Sequence, residues 1–160
     1  MEIKIYEEKY KNQVIALILY LQNFDNKVDL SLEEQPDMNN ITEYYLKKGD
    51  CFWIAADDED TVIGTIGLLK KGKYCILKKF FVDYKYRGSE YKTALKLYLE
   101  YEKFAQNAGR CAIILDNPEA CHRARIFYLR NGFKQIAPKE VPVQYDFPDR
   151  DSIFFMKSLI

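Results

Sequence analysis

The spacing of apolar residues changes repeatedly along this chain, and each change predicts an element. Ile3, Ile5 and Tyr6 lie among Lys and Glu residues in the short alternation of a first strand. Over residues 11–23, Val14, Ile15, Leu17, Ile18 and Leu21 make a broad helical face. Residues 26–38 are mixed, and Pro36 stops any helix running through Glu33, Glu34 and Gln35. Asn40-Ile41-Thr42-Glu43 reads as a capping box opening a short helix that ends near Gly49. Residues 52–56 and 61–69 are β-rich and flank an acidic turn at 57–60, which predicts an antiparallel hairpin. Residues 70–73, with Gly72, turn the chain into a strand over 74–82.

The second half changes character. Tyr91, Ala94, Leu95, Tyr98, Tyr101, Ala105 and Ala108 recur at spacings of three and four, and Gly109 closes that helix. Residues 111–115 form a continuous apolar run, as expected of a buried strand. Residues 116–119 predict a helix start, with Asn117 as cap, Pro118 in the first position and Glu119 complementing the dipole. Ala124, Phe127 and Tyr128 share one face, and Asn131-Gly132 ends the turn. Strands over 133–136 and 152–159 follow, separated by a loop punctuated by Pro138, Pro142 and Pro148. Meandering strands giving way to βαβ crossovers predict an α/β (α+β) fold: a mixed, mostly antiparallel sheet of about seven strands with helices on both faces. With no repeat or linker visible, residues 1–160 are expected to form one domain.

Charge narrows the partners. Lys plus Arg and Asp plus Glu both number 24, so the chain lacks the positive surplus of a nucleic-acid binder or a polybasic membrane adsorber. The longest apolar run, residues 14–21, is too short to span a bilayer. The four cysteines form no C-x-x-C pair and His122 is the only histidine, so no metal is expected. The opening Met1-Glu2-Ile3-Lys4 lacks a secretory pattern, which with reduced thiols points to the cytoplasm. Monomer and homodimer remain equally open.

Candidate chemistry concentrates in residues 79–95, where an apolar strand breaks at a basic turn and feeds a helix. Such a junction leaves amide N–H groups unpaired at the positive end of the helix dipole, a ready site for phosphate. Arg87 stands where its fork can reach a phosphate oxygen. A solvated surface turn is the plainer reading of this segment on its own.

The element order, joined to Arg87-Gly88-Ser89-Glu90-Tyr91-Lys92-Thr93 and to Ala124-x-x-x-Tyr128-x-x-x-Gly132-Phe133, resembles the GNAT-type N-acetyltransferase superfamily. Gln35-Pro36-Asp37, ahead of the 52–55 and 63–67 strands, adds to a likeness that covers nearly the whole chain. The resemblance implies the GNAT-like acyl-CoA N-acyltransferase fold and acetyl-CoA as co-substrate. It further implies that Arg87, Gly88, Ser89, Glu90, Tyr91, Lys92 and Thr93 surround the diphosphate. Phe81 and Val82, beside a bulge near Phe81, would hold the pantetheine and thioester, with Asn117 also near the cofactor. Tyr128 would protonate the departing thiolate.

This chain departs from the family at several points. Glu90 and Lys92 stand where two glycines are usual, and Glu90 brings negative charge towards a dianionic group. Cys121 replaces a common Asn, and Lys78-Lys79 occupy the strand position where relatives carry a basic Glu. Glu33 and Glu34, with Asp37, are therefore the candidate general bases. The implied acceptor is a primary amine of a small molecule or peptide. Its pocket would be drawn from residues 30–37, Phe52-Trp53 and residues 142–148 with Tyr145 and Phe147, whose acidic and aromatic mix suits a cation. The alternative is a non-catalytic CoA-binding or protein-interaction module with an impaired cofactor site.

Overall fold

A computed structural model describes residues 1–160. Seven strands form one sheet in the order β1-β2-β3-β4-β5-β7-β6. The first four are β1 (Glu2–Ile5), β2 (Cys51–Ala56), β3 (Val62–Lys71) and β4 (Tyr74–Val82), and they meander antiparallel. Next come β5 (Ala112–Pro118), β6 (Lys134–Ile136) and β7 (Ser152–Ser158), with β7 antiparallel to both its neighbours. Only β4 and β5 are parallel. The helices are α1 (Lys11–Tyr20), two short ones, α2 (Pro36–Asn39) and α3 (Ile41–Tyr44), then α4 (Thr93–Asn107) and α5 (His122–Arg130).

Strict alternation in β2 sends its side chains to two cores. Cys51, Trp53 and Ala55 pack with Leu97, Tyr98 and Tyr101 of α4 and Tyr128 of α5. Phe52, Ile54 and Ala56 pack with Val14 and Ile18 of α1, together with Tyr6 and Tyr45. Burying both faces of the strand removes it entirely from water, the main favourable contribution to this fold.

β4 changes faces partway. Cys75 and Leu77 point to the α4 core, yet Phe80 and Val82 occupy that same side further on. The cause is a bulge: Thr65 pairs with Phe81 and Gly67 with Lys78, so Lys79 and Phe80 together oppose Ile66. Lys79 adopts φ 50°, and its carbonyl accepts a 2.7 Å bond from Thr65 Oγ1. The expected bulge near Phe81 therefore lies one to two residues earlier.

Three local expectations are corrected. The first helix ends its α-form at Tyr20 and continues as a π-turn over Leu21–Asp25. No side-chain bond caps α3 at Asn40; Thr42 instead donates to Glu8 at 2.7 Å. The predicted helix start at 116–119 is strand through Pro118 and then a turn: Asn117 pairs with Ile153 and Pro118 with Ser152, and α5 begins only at His122. Local capping signals there yield to pairing with β7. Pro118 fills the last paired position, where a missing N–H is tolerated.

Candidate active site

β4 and β5 pair only at Tyr74–Ala112, Cys75–Ile113 and Ile76–Ile114. Beyond that point the strands diverge and open a cleft of about 950 Å³. Its walls are the diverging strands, the turn before α4, the face of α5 with Tyr128, and the π-turn after α1. The bulge supplies the divergence, because its extra residue bends and twists β4 away from its partner.

At one end, the chain turns through Gly88, whose φ of 123° is open to glycine alone at low cost. Lys92 closes the turn in the left-handed region at φ 54°, standing where a glycine would be unstrained. The N–H groups of Tyr91 and Lys92 are taken by Gly88 O, at 3.3 and 3.2 Å. The first bond within α4 runs from Lys96 N–H to Lys92 O, which leaves the amides of Thr93, Ala94 and Leu95 without helical partners. Arg87 lines the same cleft. Its Nε donates to Val82 O and its Nη2 to Asp25, both at 2.9 Å, while Nη1 is buried with no partner. Open amides, a cation and an orphaned guanidinium nitrogen fit a phosphate-bearing ligand.

The middle of the cleft belongs to Phe80, Phe81, Val82 and Tyr128. Tyr128 is 5% exposed, packed against Phe80, Phe133 and Phe155. Burial, reinforced by the charge of Asp116, pushes its phenol well above the ordinary value, so it holds its proton at neutral pH.

The far end is built from charged side chains. Lys79, 6% exposed at its side chain, faces Asp37 at 3.6 Å, and Asp37 accepts a 2.7 Å bond from Tyr45. Burial pulls the Lys79 ammonium down, while Asp37 opposes the shift. Lys78 Nζ donates to Asp146 O at 2.7 Å and lies over the Tyr145 ring. Tyr145 donates to Asp116 Oδ1 at 2.8 Å. Burial raises the Asp116 carboxyl above the usual carboxylate range, against the pull of Lys78.

Among the residues expected from the sequence, Phe81, Val82, Arg87, Gly88, Ser89, Lys92, Thr93, Asn117 and Tyr128 all line the cleft. Glu90 and Tyr91 do not; both are exposed on the outside of the turn, and Tyr91 precedes α4 rather than joining its face. The negative charge expected beside the diphosphate thus points to solvent. Asn117 faces the cleft, but its amide holds Cys121 O at 3.2 Å instead of capping a helix through its side chain. Glu33 and Glu34 also stand outside the cleft. Glu33 is exposed, and Glu34 is tied to Arg150 at 2.6 Å and to Ser31, which together lower its proton affinity. Phe52 and Trp53 are buried in the two cores and leave only Leu30 and Pro148 of the expected acceptor segments on the cleft. Sequence reasoning missed Asp116 and the clasp of Asp25 on Arg87. The one available signal for Asp116 was a charge directly continuing the apolar run of β5.

A sheet with one parallel junction that splays into a cleft, and a helix N-terminus at its mouth, defines an acyl-CoA transferase type of fold. Residues 48–135 match the family model of the acetyltransferase (GNAT) domain, and the chain belongs to that family. It is similar to an acetyltransferase of Streptococcus agalactiae at 41% identity, with a TM-score of 0.94 and coverage of 99% of this chain and 98% of that one. Human N-acetyltransferase 8B is 31% identical over 140 residues, 82% of this chain and 59% of the relative. The chain therefore spans little more than half the length of that human protein. A Thermoplasma acidophilum N-acetyltransferase solved with coenzyme A has the same fold, at a TM-score of 0.76, 18% identity and 98% coverage of both chains. No helix is long and apolar enough to cross a membrane.

Proposed function

We propose that this protein transfers the acetyl group of acetyl-CoA to a primary amine of a small molecule or peptide. The observation that carries the reading is the cleft at the β4–β5 divergence, with the open amides of α4 at one end and the Tyr128 phenol in its wall. Arg87 and the amides of Thr93, Ala94 and Leu95 bind the diphosphate, with Gly88 and Ser89 leaving room for its approach. Lys92 adds a cation at the rim. Phe81 and Val82 lie against the pantetheine arm, and backbone donors near the bulge stabilise charge growing on the acetyl oxygen. Tyr128 gives its proton to the departing sulfur, a role a neutral phenol fills at physiological pH.

Glu90 and Lys92 do not favour a non-catalytic module, since neither side chain blocks the cleft. We assign residues 1–160 to one functional unit. The buried free thiols of Cys51 and Cys75 suit a reducing compartment such as the cytoplasm. Calorimetric titration with acetyl-CoA tests the reading: a micromolar Kd is expected, and no heat at millimolar ligand discards it.

A further inference from the structure

Asp116 is the one carboxylate of β5, and it stands where β5 loses contact with β4. Continuing the register beyond Ile76–Ile114 brings Asp116 level with Lys78 across the gap. One of its oxygens, Oδ1, accepts the Tyr145 hydroxyl at 2.8 Å. The other makes no hydrogen bond or ion pair with a side chain and is not fully enclosed, and the residue lines the cleft. Lys78 and Lys79 of β4 face it, but neither comes within ion-pair distance: Lys78 is held by Asp146 O and Lys79 by Asp37. Tyr128 of α5 lines the same cleft, and the Asp116 charge adds to the upward shift of its phenol. A carboxylate that lines the cleft together with Tyr128 thus has one side-chain partner, its own backbone amide as a further donor, and a second oxygen free of side-chain bonds.

We infer that Asp116 is the general base that takes a proton from the acceptor ammonium, directly or through one water, with Tyr145 as its positioning residue. This rests on the acetyl-transfer reading above. The ammonium gives one proton to Asp116, and the freed nitrogen lone pair forms the C–N bond to the acetyl carbon. The C–S bond breaks with its electron pair on sulfur, which takes the Tyr128 proton. The second nitrogen proton returns through water to Tyr128, and Asp116 releases its proton to solvent. Burial supports the assignment, because a carboxyl with raised proton affinity is a better base at neutral pH than an exposed aspartate.

The test compares two nucleophiles under saturating acetyl-CoA: 2-phenylethylamine, which arrives protonated, and hydroxylamine, already neutral at pH 7. Asp116→Asn should lose about 10²- to 10⁴-fold in kcat/KM with the first, recovering as pH rises, and little with the second. Its acetyl-CoA affinity should stay within about threefold of the parent protein. Tyr145→Phe, which keeps the carboxylate and removes its donor, should move the acid limb of the pH–rate profile up by about one pH unit. Equal losses with both nucleophiles, or an acid limb unchanged in Asp116→Asn, overturn the assignment. A readout without any acceptor is the ¹³C-carboxyl titration of Asp116 in the acetyl-CoA complex. Titration at the ordinary aspartate value, unmoved by Tyr145→Phe, also overturns it. Absence of acetyl-CoA binding in the unmutated protein is a separate result, and it discards the acetyl-transfer reading instead.

Discussion

The two ends of the cleft are made of different materials. The end at α4 is backbone: a bulge, a glycine turn and three open amides, with Arg87 as its main side chain. The end at Asp116 is side chains from segments far apart in the chain, Asp37 with Lys79, Lys78 with Asp146 O, and Asp116 with Tyr145. Backbone sites tolerate substitution, because the groups that bind are present in every residue type. Lys92 and Glu90 can therefore replace glycines without closing the cleft, provided that Lys92 accepts a left-handed φ. Side-chain sites have no such reserve, and each of their members can be broken singly.

The largest effect is expected between the two ends. Tyr128→Phe should lower kcat by about 10²- to 10⁴-fold while acetyl-CoA affinity, measured by calorimetry, hardly changes. Equal turnover in the variant would remove the phenol from the chemistry. Second is the buried pair at the side-chain end. Asp37→Asn should cost about 3–5 kcal/mol of stability in urea unfolding, because it leaves the Lys79 ammonium uncompensated. Adding Lys79→Met should recover most of that loss, since a buried ion pair gives little over apolar packing. A double variant as unstable as the single one would show that the pair itself holds the bulge.

At the backbone end the expected effects are smaller and of opposite sign. Arg87→Gln should weaken acetyl-CoA binding by about 10- to 150-fold, the range of a hydrogen bond to a charged group. Asp25→Asn should strengthen it by up to about fivefold, since the Asp25 carboxylate now holds the Arg87 Nη2 at 2.9 Å in the place of a ligand. Smallest of all, Glu90→Gln should change affinity by less than about twofold, because this exposed residue lies off the cleft. A tenfold gain would show that its charge reaches the diphosphate after all.

The backbone end was the legible one. A strand, a basic glycine turn and an amphipathic helix occur in sequence order, and the amides at α4 follow from any helix that starts there. The seven strands were likewise visible, since each carries its own alternation or apolar run. The side-chain end was not. Asp116 looked like part of a helix start because Asn117-Pro118-Glu119 carries every local mark of one, and only β7 lying alongside turns those residues into strand. Glu33 and Glu34 looked like bases because their segment borders such pockets in relatives, but Arg150, more than a hundred residues later, turns Glu34 away.

By itself, the sequence determined the elements, their order, the two-faced burial of the sheet and the basic glycine turn ahead of α4. These depend on periods and propensities that act within a few residues. The tertiary structure alone decided that β5 runs on through Pro118, that the bulge falls on Lys79 and Phe80, that Glu90 faces water, and that Asp116 meets Tyr145. Each depends on register between distant segments, where a shift of one residue moves a side chain to the other face of the sheet.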